Sequence, residues 1–231
     1  MASLPHKVNF WDIALLFLCM FIASSAVLTF AQNRSISDNA IFNVANIVQN
    51  ISLILGYWLF SKKRGWRSLG ERFFPVTHGV VFLSIICAIV LSLLWGVQLI
   101  ALARLGGQFV LLPIDGVMPG DLGQLPLGVL AMVIIGPFAE ELFFRGLLLD
   151  WLQSKIAPWA AILVVSALFA LLHNNGLSSG ILGWMALAYR FLMGVAAAAL
   201  TLRYKSLRAP LILHGTCNSV ACVSSALLRF F

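Results

Sequence analysis

Gly136-Pro137-Phe138-Ala139-Glu140-Glu141-Leu142-Phe143-Phe144-Arg145-Gly146 sets two adjacent carboxylates and an arginine inside an apolar run from about Leu125 to Leu149. A charge at the centre of a lipid-embedded helix costs roughly 2.5 kcal/mol or more, so three of them within about a turn and a half need a reason. The other acids are Asp12, Asp38, Glu71, Asp115, Asp121 and Asp150, and all six fall near the ends of apolar runs or between them. The two glutamates alone sit well inside a hydrophobic span, which marks this segment as the place where chemistry is expected.

Around it lies a chain of 231 residues that is 61% hydrophobic and 10% charged, against about 25% charged residues in a soluble domain. With a mean hydropathy of +0.98, it reads as an all-α, polytopic membrane protein. Runs of about 20 apolar residues fall at roughly 11 to 31, 41 to 60, 76 to 103, 125 to 149, 157 to 173, 181 to 201 and 209 to 228, a bundle of seven transmembrane helices. An eighth, short or re-entrant helix has room in 104 to 124, although Gly106, Gly107, Pro113, Gly116, Pro119, Gly120 and Gly123 favour an irregular connection there over a substrate gate. The first run, Trp11 to Ala31, is too long for a cleaved signal sequence and is expected to be retained. Without an internal repeat or a soluble module, residues 1–231 read as a single membrane domain.

The net charge of +7 could suggest nucleic acid, but the basic residues sit in short loops, where positive charge orients a membrane protein. Alternate loops put Lys7, Lys62, Lys63, Arg64, Arg67, Arg72, Lys155, Arg203, Lys205 and Arg208 on one side, and Arg34, Arg104 and Arg229 on the other. The rich side is expected to be cytoplasmic, with the N-terminus inside, and the compact length suggests a prokaryotic inner membrane. Trp11, Trp58, Trp66, Trp151 and Trp159 fall near that side as an interfacial belt. Cys19, Cys87, Cys217 and Cys222 lie within apolar runs and read as small core residues, neither disulfides nor a zinc site. Gly176-x-x-x-Gly180 and the run from Gly194 to Ala199 read as close helix packing.

Residues four apart share a helical face, so Glu141 and Arg145 can pair while Glu140 is turned about 100° away. The fifth span ends at His173, and the seventh carries His214 and Asn218, again four apart. None of these can face lipid cheaply, so they are expected to converge. Each taken singly is more simply a hydrogen bond between helices. Asn43, Asn46, Gln49 and Asn50 in the second span and Arg190 in the sixth read as polar groups kept for other reasons. Two carboxylates, two imidazoles and an amide together exceed what packing requires. They are a set of parts for activating water and stabilising an oxyanion, without a covalent intermediate.

Glu140-Glu141-x-x-x-Arg145, Phe169-x-x-x-His173 and His214-x-x-x-Asn218, in this order on successive hydrophobic segments, resemble the three motifs of the CPBP family. That family includes CAAX prenyl endopeptidases, abortive-infection-type membrane proteases and bacteriocin self-immunity proteins. The motif core covers about 125–222. The resemblance implies a glutamic intramembrane endopeptidase with Glu140 as general base, His173 as its partner on the catalytic water, and His214 and Asn218 at the oxyanion. Glu141 and Arg145 would be structural, with Arg145 also able to meet a substrate carboxylate. No cofactor and no metal are implied. The partners are membrane lipid and a peptide or protein substrate, prenylated in part of the family, at a site expected to open toward the cytoplasm.

Three other readings use the same residues. A metal-dependent hydrolase could ligate through Glu and His, but there is no HExxH, and asparagine is a poor zinc ligand. A proton-coupled transporter would be expected to carry inverted repeats. A non-catalytic immunity or scaffold protein could keep the motifs for folding. No GxSG serine and no paired intramembrane aspartates occur. One tension remains within the favoured reading. At about 1.5 Å per residue, Glu140 and Asn218 come out roughly 14 Å from the basic ends of their spans, but His173 comes out near 24 Å.

Overall fold

A computed structural model describes residues 8–31, 38–104, 125–173 and 180–227. These residues form eight helices and no strand: α1 (Phe10–Ala31), α2 (Asp38–Arg64), the four-residue α3 (Leu69–Arg72), α4 (His78–Arg104), α5 (Leu125–Gln153), α6 (Pro158–Leu172), α7 (Ile181–Tyr204) and α8 (Arg208–Leu227). The seven longer helices stand where the seven apolar runs predict them. Five of them, α1, α2, α4, α5 and α7, are long and apolar enough to cross a membrane. The other two differ from these in length or polarity: the 15 residues of α6 reach only about 22 Å against a hydrocarbon core of about 30 Å, and α8 carries His214, Asn218 and several hydroxyls. The third span is one helix of 27 residues. The eighth helix anticipated in 104–124 and the Gly176 packing motif lie outside the described residues.

The packing order explains why the glutamate segment is sheltered. α1 packs on α2, α6 on α7, and α8 on α4 and α7, while α5 contacts α2, α6, α7 and α8. Half of the most apolar stretch of α5 is buried, against 39% or less in the other four long helices. The outward faces carry exposed Phe21, Ile22, Phe30, Phe82, Leu93, Val97 and Trp184, as a lipid-facing surface requires.

One end of the bundle is tied by polar contacts. Arg64 pairs with Asp12 at 3.4 Å, buried Arg72 pairs with Asp150, and Arg72 Nε donates to the Tyr57 hydroxyl at 3.0 Å. Leu207 N–H donates to Arg72 O and the Ser206 hydroxyl to Phe74 O, each at 2.8 Å. The basic clusters at 62–72 and 203–208 therefore meet at one end, as the alternation of loops predicts. Trp66 departs from the belt reading. It is buried against Tyr57 and Phe60, whereas Trp11, Trp58 and Trp159 are exposed. Cys217 and Cys222 are core residues as expected, Cys87 is half-buried and Cys19 is exposed.

Candidate active site

The site is built on an irregularity of α5. Two π-helical stretches, Leu130–Ile135 and Leu142–Leu148, flank the α-helical Gly136–Glu141. The first has a cause in the sequence. Pro137 has no N–H and cannot continue an α-helical ladder. Gly136 N–H instead reaches back five residues to Ala131 O. A side chain at 136 would place its Cβ 2.6 Å from that oxygen, so the position requires glycine. In this register the donor due to Met132 O is the nitrogen of Pro137, which has no hydrogen. The orphaned carbonyl is taken up by the Asn218 side chain, whose Nδ2 donates to it at 2.7 Å. Gly136-Pro137 thus fixes both the bulge before the glutamates and the seat of Asn218 on α8. Bulges of this kind occur frequently at functional sites.

Glu141 and Arg145 pair as their spacing predicts, at 2.9 Å and with neither side chain exposed. The same Glu141 oxygen, Oε1, also accepts from His214 Nδ1 at 2.8 Å, a contact that spacing alone did not reveal. A carboxylate can only accept, so His214 carries a hydrogen on Nδ1 and turns Nε2 toward Glu140, 3.7 Å from its Oε2. Arg145 donates further to Gly194 O at 3.3 Å and stacks over the Phe169 ring at 4.6 Å. It is fully buried and is not part of the wall of the cavity that Glu140 lines.

His173 closes the C-terminus of α6, where the last carbonyls need donors. Its Nδ1–H donates to Phe169 O at 2.7 Å, which directs Nε2 to within 3.1 Å of Glu140 Oε2. The depth tension resolves at the α5–α6 turn. α5 runs to Gln153, four residues beyond its expected end. Glu140 then lies 13 residues before that end and His173 15 residues after Pro158, each roughly 20 Å from the turn. Phe169 packs edge-on to the His214 ring at 5.6 Å and to Phe144 at 5.1 Å.

Glu140, His173, His214 and Asn218 all line one cavity of about 650 Å³, which is within the size range of ligand sites. The structure therefore brings together the four residues predicted as catalytic, with Glu141 and Arg145 directly behind them. Glu140 Oε2 is buried and makes no hydrogen bond of good geometry within the described protein, although two imidazole nitrogens stand near it. Among the described residues no group of three or more His, Cys, Asp or Glu side chains is arranged to hold a metal ion. Sequence reasoning passed over the Met132 carbonyl and the anchoring role of Gly136-Pro137. It also set aside Asn46, Gln49, Asn50 and Arg190, which line the same cavity.

Residues 122–220 match the family model of the type II CAAX prenyl endopeptidase Rce1-like proteins. No curated protein sequence matches the chain.

Proposed function

With residues 122–220 forming an Rce1-like type II CAAX prenyl endopeptidase domain, of a family of membrane proteases, we propose that the chain is an intramembrane endopeptidase in which Glu140 and His173 activate the attacking water. The observation that carries this reading is the buried Glu140 Oε2, faced by His173 Nε2 at 3.1 Å and His214 Nε2 at 3.7 Å on the wall of a large cavity. Burying net charge is expensive, and Arg145 balances one of the two carboxylates while Arg190 lines the same cavity as Glu140.

In the reaction, Glu140 with His173 takes a proton from water as its oxygen attacks the scissile carbonyl carbon. The carbonyl oxygen becomes an oxyanion beside His214 Nε2 and the second Asn218 N–H, since the first is held by Met132 O. The proton then passes from the Glu140–His173 pair to the leaving amine as the C–N bond breaks. Glu141, itself paired with Arg145, accepts from His214 Nδ1–H and orients the ring, whose Nε2 donates to the oxyanion only when it carries a hydrogen as well.

The proposal extends to the whole chain, residues 1–231 as one membrane domain around the motif core 125–222. α6 and α8 cross as well, giving seven spans, with the basic end and the N-terminus cytoplasmic and the site opening to that side. The substrate is a peptide or protein, with prenylated CAAX tails the first class to try. Labelling a Lys63→Cys variant from the cytoplasmic face only would support this orientation, and labelling from the opposite face would reverse it.

The test of mechanism is cleavage of a farnesylated CAAX peptide and of a mixed peptide library by detergent-purified protein, with and without chelator. Cleavage is expected to resist chelator and to fall by about 10²- to 10⁴-fold in Glu140→Gln, whose side chain has nearly the same shape. Full activity in that variant would refute the assignment of Glu140. Chelator-sensitive cleavage would turn the same residues into metal ligands.

A further inference from the structure

The motif residues come from α5, α6 and α8, yet the cavity they face is also walled by α2, which lies outside the stretch matched to the family. Phe42, Asn46, Gln49 and Asn50 of α2 line it. Their spacing of four, seven and eight residues places them on one face of the helix. That face borders the same space as Gly136, Ala139 and Glu140 of α5, against which α2 packs. Aliphatic side chains would pack there equally well, and amides in an apolar span are retained at some expense.

The amides are ordered among themselves. Asn50, nearly fully buried, donates from Nδ2 to Asn46 Oδ1 at 2.7 Å. That bond engages the carbonyl end of Asn46 and leaves its Nδ2 as the end available to a guest. Gln49, one residue before Asn50, adds both a donor and an acceptor. The row is uncharged and offers both kinds of partner.

A peptide entering this cavity has a definite need. Each of its residues brings an N–H and a C=O, and away from water each group left unpaired costs several kcal/mol. His214 and Asn218 can serve the scissile carbonyl and no more. We propose that Asn46 and Gln49, with Asn46 held in place by Asn50, hydrogen-bond the backbone of the substrate peptide beside the scissile bond and align it with Glu140. This rests on the endopeptidase reading. It makes binding at this wall independent of side-chain identity, since backbone groups are common to all peptides.

The test uses the full chain in detergent, a farnesylated CAAX peptide, and the same peptide N-methylated at each backbone amide in turn. Gln49→Leu and Asn46→Leu keep the side-chain volume and suit a membrane helix. Each is expected to raise KM by about three- to tenfold with kcat within about twofold, the loss of one ordinary hydrogen bond. N-methylation at the amide in contact should raise KM similarly in the wild type and add nothing in the matching variant, as coupled partners require. Wild-type KM in both variants, or an N-methyl penalty equal in wild type and variants, would overturn the proposal. If Asn46→Leu lowers expression by stranding Asn50, Gln49→Leu carries the test alone. Peptide affinity is also read by fluorescence anisotropy in the Glu140→Gln background, with and without Gln49→Leu. Binding that depends on Gln49 in a protein whose wild type cleaves nothing would refute the protease reading and leave the backbone strip standing. Cleavage indifferent to both amides would do the reverse.

Discussion

Replacing Glu141 by alanine should damage the protein in two separable ways. Glu141 and Arg145 are both fully buried, and a single oxygen of Glu141 accepts from Arg145 at 2.9 Å and from His214 at 2.8 Å. Without the carboxylate, the guanidinium keeps Gly194 O at 3.3 Å and the Phe169 and Phe144 rings at 4.6 and 5.8 Å, none of them a charge. Breaking a buried ion pair by removing one partner costs about 3–5 kcal/mol. For a chain of this size that corresponds to a fall in Tm of roughly 6–20 °C. The assay is thermal unfolding of detergent-purified protein, beside a double variant, Glu141→Leu with Arg145→Met. Replacing the whole pair by apolar groups strands no charge, so the double variant should recover the ion-pair loss and fall short of the wild type by about 1–3 kcal/mol, the cost of the buried His214 Nδ1–H left without an acceptor. Its cleavage rate should stay low, because the Nδ1–H of His214 has lost its acceptor and its ring is no longer held toward Glu140. A Glu141→Ala Tm within about 3 °C of wild type, or full activity in the refolded double variant, would refute this account of the pair.

Three further outcomes follow from particular contacts. Pro137→Ala supplies an N–H that can satisfy Met132 O from the backbone and so displaces Asn218; stability should hold or rise while kcat falls by about tenfold or more, and an unchanged kcat would show that the Asn218 seat is unimportant. At Gly194 a Cβ would lie 3.0 Å from Ser166 Cα on α6, so Gly194→Leu should cost about 1–3 kcal/mol or more by overpacking, read as a lower Tm than that of Gly194→Ala. Glu71 caps α3 by accepting from Ser68 N–H, and these hydrogen bonds with Ser68 hold its carboxyl below the ordinary carboxylate value. Its stabilisation is therefore complete above the unfolded value near pH 4 and is lost as pH falls through the folded one; the Tm gap between wild type and Glu71→Gln should narrow from pH 6 to pH 3, and a constant gap would contradict the cap.

The seven helix positions were legible because an apolar run of membrane length has few other uses, and the ends missed by a few residues are those where the helix continues out of the apolar run. α2 extends through Lys62, Lys63 and Arg64, and α5 through Trp151 to Gln153, because nothing in those polar residues stops a helix. That extension of α5 is also what brings Glu140 level with His173. The Glu141–Arg145 pair could be read from spacing because both residues lie on one helix. The Glu141–His214 contact could not, since it joins positions 73 apart in the chain and depends on how α8 packs on α5. The same limit hid the cavity wall of α2. Asn46, Gln49 and Asn50 look like dispersed polar residues until α2 is set beside α5, after which they border the space in front of Glu140.

Gly136-Pro137 shows how a local rule can carry long-range information once its consequence is followed. Pro137 withholds one hydrogen, Gly136 permits a five-residue closure to Ala131 O, and one carbonyl, that of Met132, is left over. A leftover carbonyl inside a membrane protein must find a donor. The donor comes from the residue that also needs a fixed position beside the reacting carbonyl, Asn218. The bulge that ends at Gly136 also sets the rotation of the next helical turn relative to the one before it, and with it the directions in which Glu140 and Glu141 point. One backbone defect therefore anchors one proposed oxyanion donor and aims the proposed base. In such a site the stretch Gly136 to Arg145 acts as a unit, in which a change at Pro137 is felt at Asn218, and a change at Glu141 is felt at His214.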